Sequence, residues 1–163
     1  TVTMIEYSVL FVCTGNTCRS PMAEGLAKHA LAEMKGVPID QLEDAGIRVR
    51  SAGVSTGGGS PASAQAVEAM RRAGIDIGAH TSTALTADLI QDADAVFTMT
   101  DSHRKGVLVH SPGAAGKTQT LDPEGDIVDP FGAPVEAYIQ TAEMIRDALT
   151  RRLAQRYSDL ATG

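Results

Sequence analysis

The chain has 163 residues, about the length of one domain by the usual size prior, and a chain of that size buries a full core without disulfides or metals. Its net charge of -6 argues against a general nucleic-acid binder, which needs a basic footprint. Aromatic residues make up only 4% and tryptophan is absent, which argues against a broad aromatic recognition surface. The two cysteines, Cys13 and Cys18, are too few and too close for a disulfide framework. With four scattered histidines they offer no metal-ligand pattern. A reduced, cytoplasmic setting is expected, with no cofactor and no metal. The apolar run at 9–12 is far too short to span a membrane, and no signal-peptide pattern is present.

Taken in chain order, residues 8–12 (SVLFV) predict a strand apolar enough to be buried on both faces. A loop with Gly15 and Asn16 follows. Ser20-Pro21 then reads as a helix start, with Ser as N-cap and Pro in the first turn. Met22, Leu26, Ala30, Leu31 and Met34 give that helix its apolar stripe. Residues 36–46 form a solvated connection around Asp40, Glu43 and Asp44. A second strand is predicted at 47–52, then a mobile loop at 53–60 with four glycines. Helices are predicted at 62–73, stopped by Gly74, at 86–91 and at 101–109. Strands are predicted at 93–99 and 118–121. A Pro- and Asp-rich loop covers 122–134. A long amphipathic helix covers 135–157, with Ile139, Ala142, Ile145, Leu149 and Leu153 on one face. No repeat, low-complexity tract or linker appears, so a single domain over 1–163 is expected. Strands alternating with helices predict an α/β sandwich with a parallel sheet, a three-layer arrangement of sheet between helices. Ligands in such folds bind beyond the carboxyl ends of the strands.

The segment C-T-G-N-T-C-R-S, residues 13–20, lies at such an end. Between a strand and a helix, its backbone N–H groups can curl around one anion, helped by the positive end of the helix dipole. Gly15 and Asn16 tolerate the left-handed backbone angles that this curl needs. Arg19 can hold two phosphate oxygens with its planar fork. Cys13 sits at the base, where the dipole, Arg19 and the Ser20 hydroxyl favour its thiolate. Cysteines so placed titrate at roughly 3.5–7.5 instead of about 8.5. A thiolate under a bound phosphoryl group is set for in-line attack.

The stretch FVCTGNTCRSPMAE at 11–24 resembles the phosphate loop of the low-molecular-weight protein tyrosine phosphatases. RSAGV at 50–54, AVFTMTDSH at 95–103 and DPFG at 129–132 extend the likeness over most of the chain. The resemblance implies a four-stranded parallel sheet flanked by helices. It implies Cys13 as nucleophile, Arg19 as phosphate ligand, and a substrate-binding loop of Thr14, Gly15, Asn16, Thr17, Cys18 and Ser20. It places the general acid at a D-P pair near the last helix. Two such pairs exist, at Asp122 and Asp129, and Asp129 is preferred because Phe131 completes the D-P-aromatic pattern; Asp126 is read as a loop carboxylate. Asn16, Ser51 and His80 are implied as a network bracing the loop, and Cys18 as a partner for a protective disulfide with Cys13.

Within that family, Thr17 and the DPFG sequence resemble the bacterial protein arginine phosphatase branch more than the tyrosine branch. The latter usually has a branched aliphatic residue at the position of Thr17 and D-P-Y-Y at 129–132. A hydroxyl suits a guanidinium better than an aryl ring, and Gly132 removes one aromatic wall. Phe131 keeps one face on which a ring or guanidinium can stack. The expected partners are phosphorylated proteins, with phosphoarginine preferred and phosphotyrosine the alternative, acted on by a monomer. An arsenate reductase of this type needs further cysteines, and none follows Cys18. A purely binding relative is expected to lack the nucleophile, the arginine or the acid, and all three are present.

Overall fold

Seven consecutive buried residues, Tyr7–Cys13 (YSVLFVC), form the central strand β1. A strand can be buried throughout only when both of its faces and both of its edges are covered. Here β2 (Ile47–Gly53) lies on one edge and β3 (Ala95–Thr98) on the other, and β4 (Thr118–Thr120) follows β3. The order is β2-β1-β3-β4 and all pairings are parallel. The computed structural model describes residues 4–162, with side chains through residue 156.

Alternation along β1 divides the core in two. Val9, Phe11 and Cys13 point to the side packed by α1 (Arg19–Lys35), α2 (Ala64–Arg72) and α5 (Val135–Thr162). Leu10 and Val12 point to the side packed by α3 (Ala87–Asp92) and α4 (Asp101–His110), where they meet Ile90 and Val107. This is the expected three-layer sandwich. Full burial of Leu10, Phe11 or Val12 contributes about 1.5–3 kcal/mol each.

Four expectations need correction. The first helix begins at Arg19, so Ser20 is inside it and is no N-cap; Cys18 holds that position with no side-chain cap. Met34 falls outside the apolar stripe, 46% exposed, in a last turn of α1 where Glu33 and Lys35 are exposed as well. The glycine-rich loop after β2 is fastened, not loose. Val54 N–H donates to the Cys13 carbonyl at 3.0 Å and Ser55 N–H to the Thr14 carbonyl at 2.9 Å; Gly59 N–H donates to the Ser82 carbonyl at 2.8 Å. The last helix extends past the predicted end at 157 to Thr162.

Two features at the ends of the strands position the site. The ends of β1 and β2 run side by side, with Cys13 opposite Gly53. A methyl group on Gly53 would come within 2.6 Å of the Thr14 carbonyl oxygen, so only glycine lets the loop after β1 lie against β2. Among the described residues no helix is long and apolar enough to cross a membrane.

Candidate active site

The loop between β1 and α1 owes its shape to Asn16. Its φ of 57° is the only positive φ of a non-glycine residue among those described, and it turns the chain back on itself. Asn holds that conformation because its side chain is fully engaged. Nδ2 donates to Ser20 Oγ at 2.7 Å and to Ser51 Oγ at 2.9 Å, and Oδ1 accepts from the Thr83 backbone N–H at 2.8 Å. His80 Nε2 donates to the Asn16 carbonyl at 2.8 Å. Asn16, Ser51 and His80 are thus brought together.

These bonds have a direction. Ser51 donates to Glu24 Oε1 at 2.6 Å, so it can accept from Asn16. Ser20 also accepts from Asn16, which leaves its own proton free for Cys13 Sγ, 2.9 Å away. The first turn of α1, uncapped by any side chain, adds open N–H groups at the same place. Replacing Asn16 by alanine leaves the Thr83 N–H without its acceptor and a non-glycine residue at a positive φ. A loss of about 2–3 kcal/mol of stability is expected, read in denaturant unfolding, together with a fall in turnover.

Arg19 is 4% exposed and lies along the floor. Nη1 donates to the Ile127 carbonyl at 2.8 Å, and Nη2 is 3.5 Å from Asp129 Oδ2. Asp129 stands on the loop between β4 and α5, where its Oδ1 accepts from the Phe131 N–H at 3.1 Å. Cys13, Thr14, Gly15, Thr17, Cys18, Arg19, Asp129 and Phe131 line one cavity of about 250 Å³. Phe131 is 77% exposed and forms the rim, followed by Gly132 at a φ of 81°. The other two aspartates of the loop are elsewhere. Asp122 closes a turn on the Glu124 N–H at 2.9 Å, and Asp126 accepts from the Asp101 N–H at the start of α4 at 2.8 Å.

Cys18 and Cys13 are both free thiols. Cys18 donates to Ser63 Oγ, the N-cap of α2, at 3.5 Å, and its sulfur lies 3.6 Å from the Tyr138 hydroxyl. Burial pushes the Tyr138 phenol up from its ordinary value, and Cys18 adds to the shift. Several of these groups escape sequence reasoning. Glu24 sits one helical turn beyond Ser20, a spacing that puts it on the same face. Tyr138, Ser63 and Thr83 carry no local signal of a place in this site.

A cysteine sulfur at the base of an amide-rich loop, a buried arginine and a carboxylate at the mouth make a site for displacement at a phosphoryl group. Comparison with known proteins agrees. Residues 8–160 match the family model described as low molecular weight phosphotyrosine protein phosphatase. The chain belongs to that family and is a protein phosphatase of it. It is 41% identical over 157 residues to a protein-arginine-phosphatase of Geobacillus stearothermophilus, covering 93% of this chain and 97% of that one. It is 38% identical over 152 residues to one of Bacillus subtilis, covering 90% and 94%. A crystal structure of a low molecular weight protein tyrosine phosphatase from T. tengcongensis superposes with a TM-score of 0.81 at 36% identity, covering 92% and 99%.

Proposed function

We propose that this chain is a cysteine-dependent phosphatase of phosphoarginine in proteins, working through a cysteinyl-phosphate. Cys13 Sγ attacks phosphorus in line with the P–N bond, while Arg19 and the amides of residues 14–19 hold the three equatorial oxygens. As that bond breaks, the Asp129 carboxyl gives its proton to the departing guanidine nitrogen. The resulting carboxylate then takes a proton from water, whose oxygen attacks phosphorus, and the sulfur leaves as thiolate. Ser20 steadies the thiolate at the start and at the end. Ser51, His80 and Asn16 hold the loop in its curl, and Cys18 is the partner for a protective disulfide.

The observation that carries the arginine reading is the wall of the cavity. Thr17 is in its lining, and Phe131 is the one aromatic residue lining it among the described residues, followed in the chain by Gly132. A guanidinium can donate to the hydroxyl and stack on one ring. A phenyl ring gains little from a hydroxyl and more from apolar walls. The two relatives described as protein-arginine-phosphatases support the same reading. The proposed setting is the cytoplasm, with one domain over 1–163 acting as a monomer on phosphorylated proteins; two buried free thiols suit a reducing compartment.

Replacing Thr17 by isoleucine tests this. The selectivity for a phosphoarginine over a phosphotyrosine peptide, as a ratio of kcat/KM, is expected to fall about 10-fold or more, since a site built to hydrogen-bond a substrate N–H discriminates strongly. A wild type that prefers phosphotyrosine, with a ratio unmoved by the substitution, rejects the arginine reading and favours the tyrosine one.

A further inference from the structure

One pair at the cavity lies outside this mechanism. Thr14 Oγ1 and His103 Nε2 are 2.8 Å apart, although 89 positions separate them. His103 is 5% exposed and is the third residue of α4. It also closes the cap of that helix. The Thr100 hydroxyl accepts from the His103 N–H at 3.1 Å, and the Thr100 N–H donates to His103 Nδ1 at 3.2 Å. The second of these bonds fixes the ring. A backbone N–H can only donate, so Nδ1 must be the bare nitrogen, and the proton of the neutral imidazole is on Nε2. The ring stays neutral at pH 7, because burial and the Arg19 charge hold His103 down at about 4 against the opposing pull of Asp126 and Asp129. Nε2–H therefore donates to Thr14, and Thr14 Oγ1 is the acceptor in that bond.

The consequence falls on the Thr14 hydroxyl proton. His103 is the only hydrogen-bond partner of Oγ1 among the described residues, and it occupies one lone pair. The proton is left to donate, and Thr14 lines the same cavity as Cys13. The acceptor that every substrate of this site brings there is a phosphoryl oxygen. We infer that His103 is a positioning residue: it fixes the Thr14 hydroxyl as a donor to a phosphoryl oxygen of the bound substrate, a contact made by a side chain in addition to Arg19 and the loop amides. The inference rests on the reading of residues 13–20 as a phosphoryl-binding loop.

Binding of inorganic phosphate, by calorimetry or by competitive inhibition, tests it without turnover. Thr14→Val is expected to weaken binding about tenfold or more, the usual scale for a hydrogen bond to a charged group, and Thr14→Ser to restore it. His103→Gln keeps both functions, since an amide oxygen can cap Thr100 while its NH2 donates to Thr14, and binding is expected to stay near wild type. His103→Glu keeps the cap but turns the donor into an acceptor. The Thr14 proton is then drawn away from the cavity. Its loss of binding is expected to be larger in the wild-type background than in Thr14→Val, where only the added charge acts. Nitrogen NMR of the wild-type ring gives a readout that needs no variant, with the Nε2–H tautomer expected.

A ring protonated on Nδ1, or Thr14→Val binding phosphate as wild type does, overturns the inference and leaves the phosphoryl-binding reading standing. Equal losses from His103→Glu in the two backgrounds overturn it as well. A wild type that does not bind phosphate at this loop removes the inference together with the reading on which it rests.

Discussion

Replacing Cys13 by serine is expected to lower turnover of every phosphoryl substrate by at least about 10⁴-fold, the scale on which loss of an enzyme's nucleophile is felt. The substitution exchanges sulfur for oxygen and leaves the surroundings intact. Ser20, Asn16 and the uncapped start of α1 still point at the same place. Their effect on the two atoms differs. A thiol begins near pH 8.5, within reach of such donors, whereas an alcohol stays protonated and poorly nucleophilic at neutral pH without a base beside it. Among the described residues no basic side chain is hydrogen-bonded at position 13: the Cys13 sulfur is bonded to the Ser20 hydroxyl, which already accepts from Asn16. The variant is therefore expected to fold, to bind substrate and to turn over scarcely at all. Equal unfolding midpoints for variant and wild type would establish that chemistry alone was lost. Turnover comparable to wild type would place the nucleophile elsewhere.

The second large effect is expected at Asp129. Asp129→Asn keeps the side chain's shape and its bond from the Phe131 N–H, and removes the acid proton together with the charge that faces Arg19. A loss of about 10²–10⁴-fold in kcat is expected, the usual worth of a general acid. It should be greatest for phosphoarginine, whose departing nitrogen must be protonated, and small for p-nitrophenyl phosphate, whose leaving group departs as a stable anion. Asp122→Ala provides the contrast. That carboxylate closes a turn on Glu124 and is absent from the cavity lining, so the substitution is expected to leave both substrates near wild-type rates. Equal losses at the two positions, or a loss at Asp129 independent of the leaving group, would contradict the assignment.

What the sequence reveals here follows from how locally each feature is encoded. Strand β1 is legible because a run such as SVLFV has little use outside a buried parallel sheet. The loop after it is legible because its chemistry needs Cys, Gly, Asn, Arg and Ser at fixed steps. The start of α1 misleads for a physical reason: Ser20 is a good cap, and here the same hydroxyl turns toward Cys13 instead. The glycines after β2 mislead similarly. Glycine marks freedom in an isolated chain, but at Gly53 it permits a close approach, and the segment beyond is fastened to residues 13 and 14. The resemblance prefers Asp129 to Asp122 through its neighbour Phe131, and it is Asp129 that lines the cavity while Asp122 does not. The Thr14–His103 pair is of another kind. Its members are joined only by the fold, which brings the end of β1 beside the start of α4, and neither residue alone signals the bond.

The proposed mechanism requires the phosphoryl group to pass from an arginine nitrogen to Cys13. Rapid mixing of the wild type with a phosphoarginine peptide, followed by mass spectrometry of the trapped protein, tests this in one step. A phosphoryl group on the peptide that contains Cys13, absent from the Cys13→Ser protein and gone once substrate is exhausted, is the predicted result. Free phosphate released from phosphoarginine with no phosphoryl group ever found on Cys13 would contradict it.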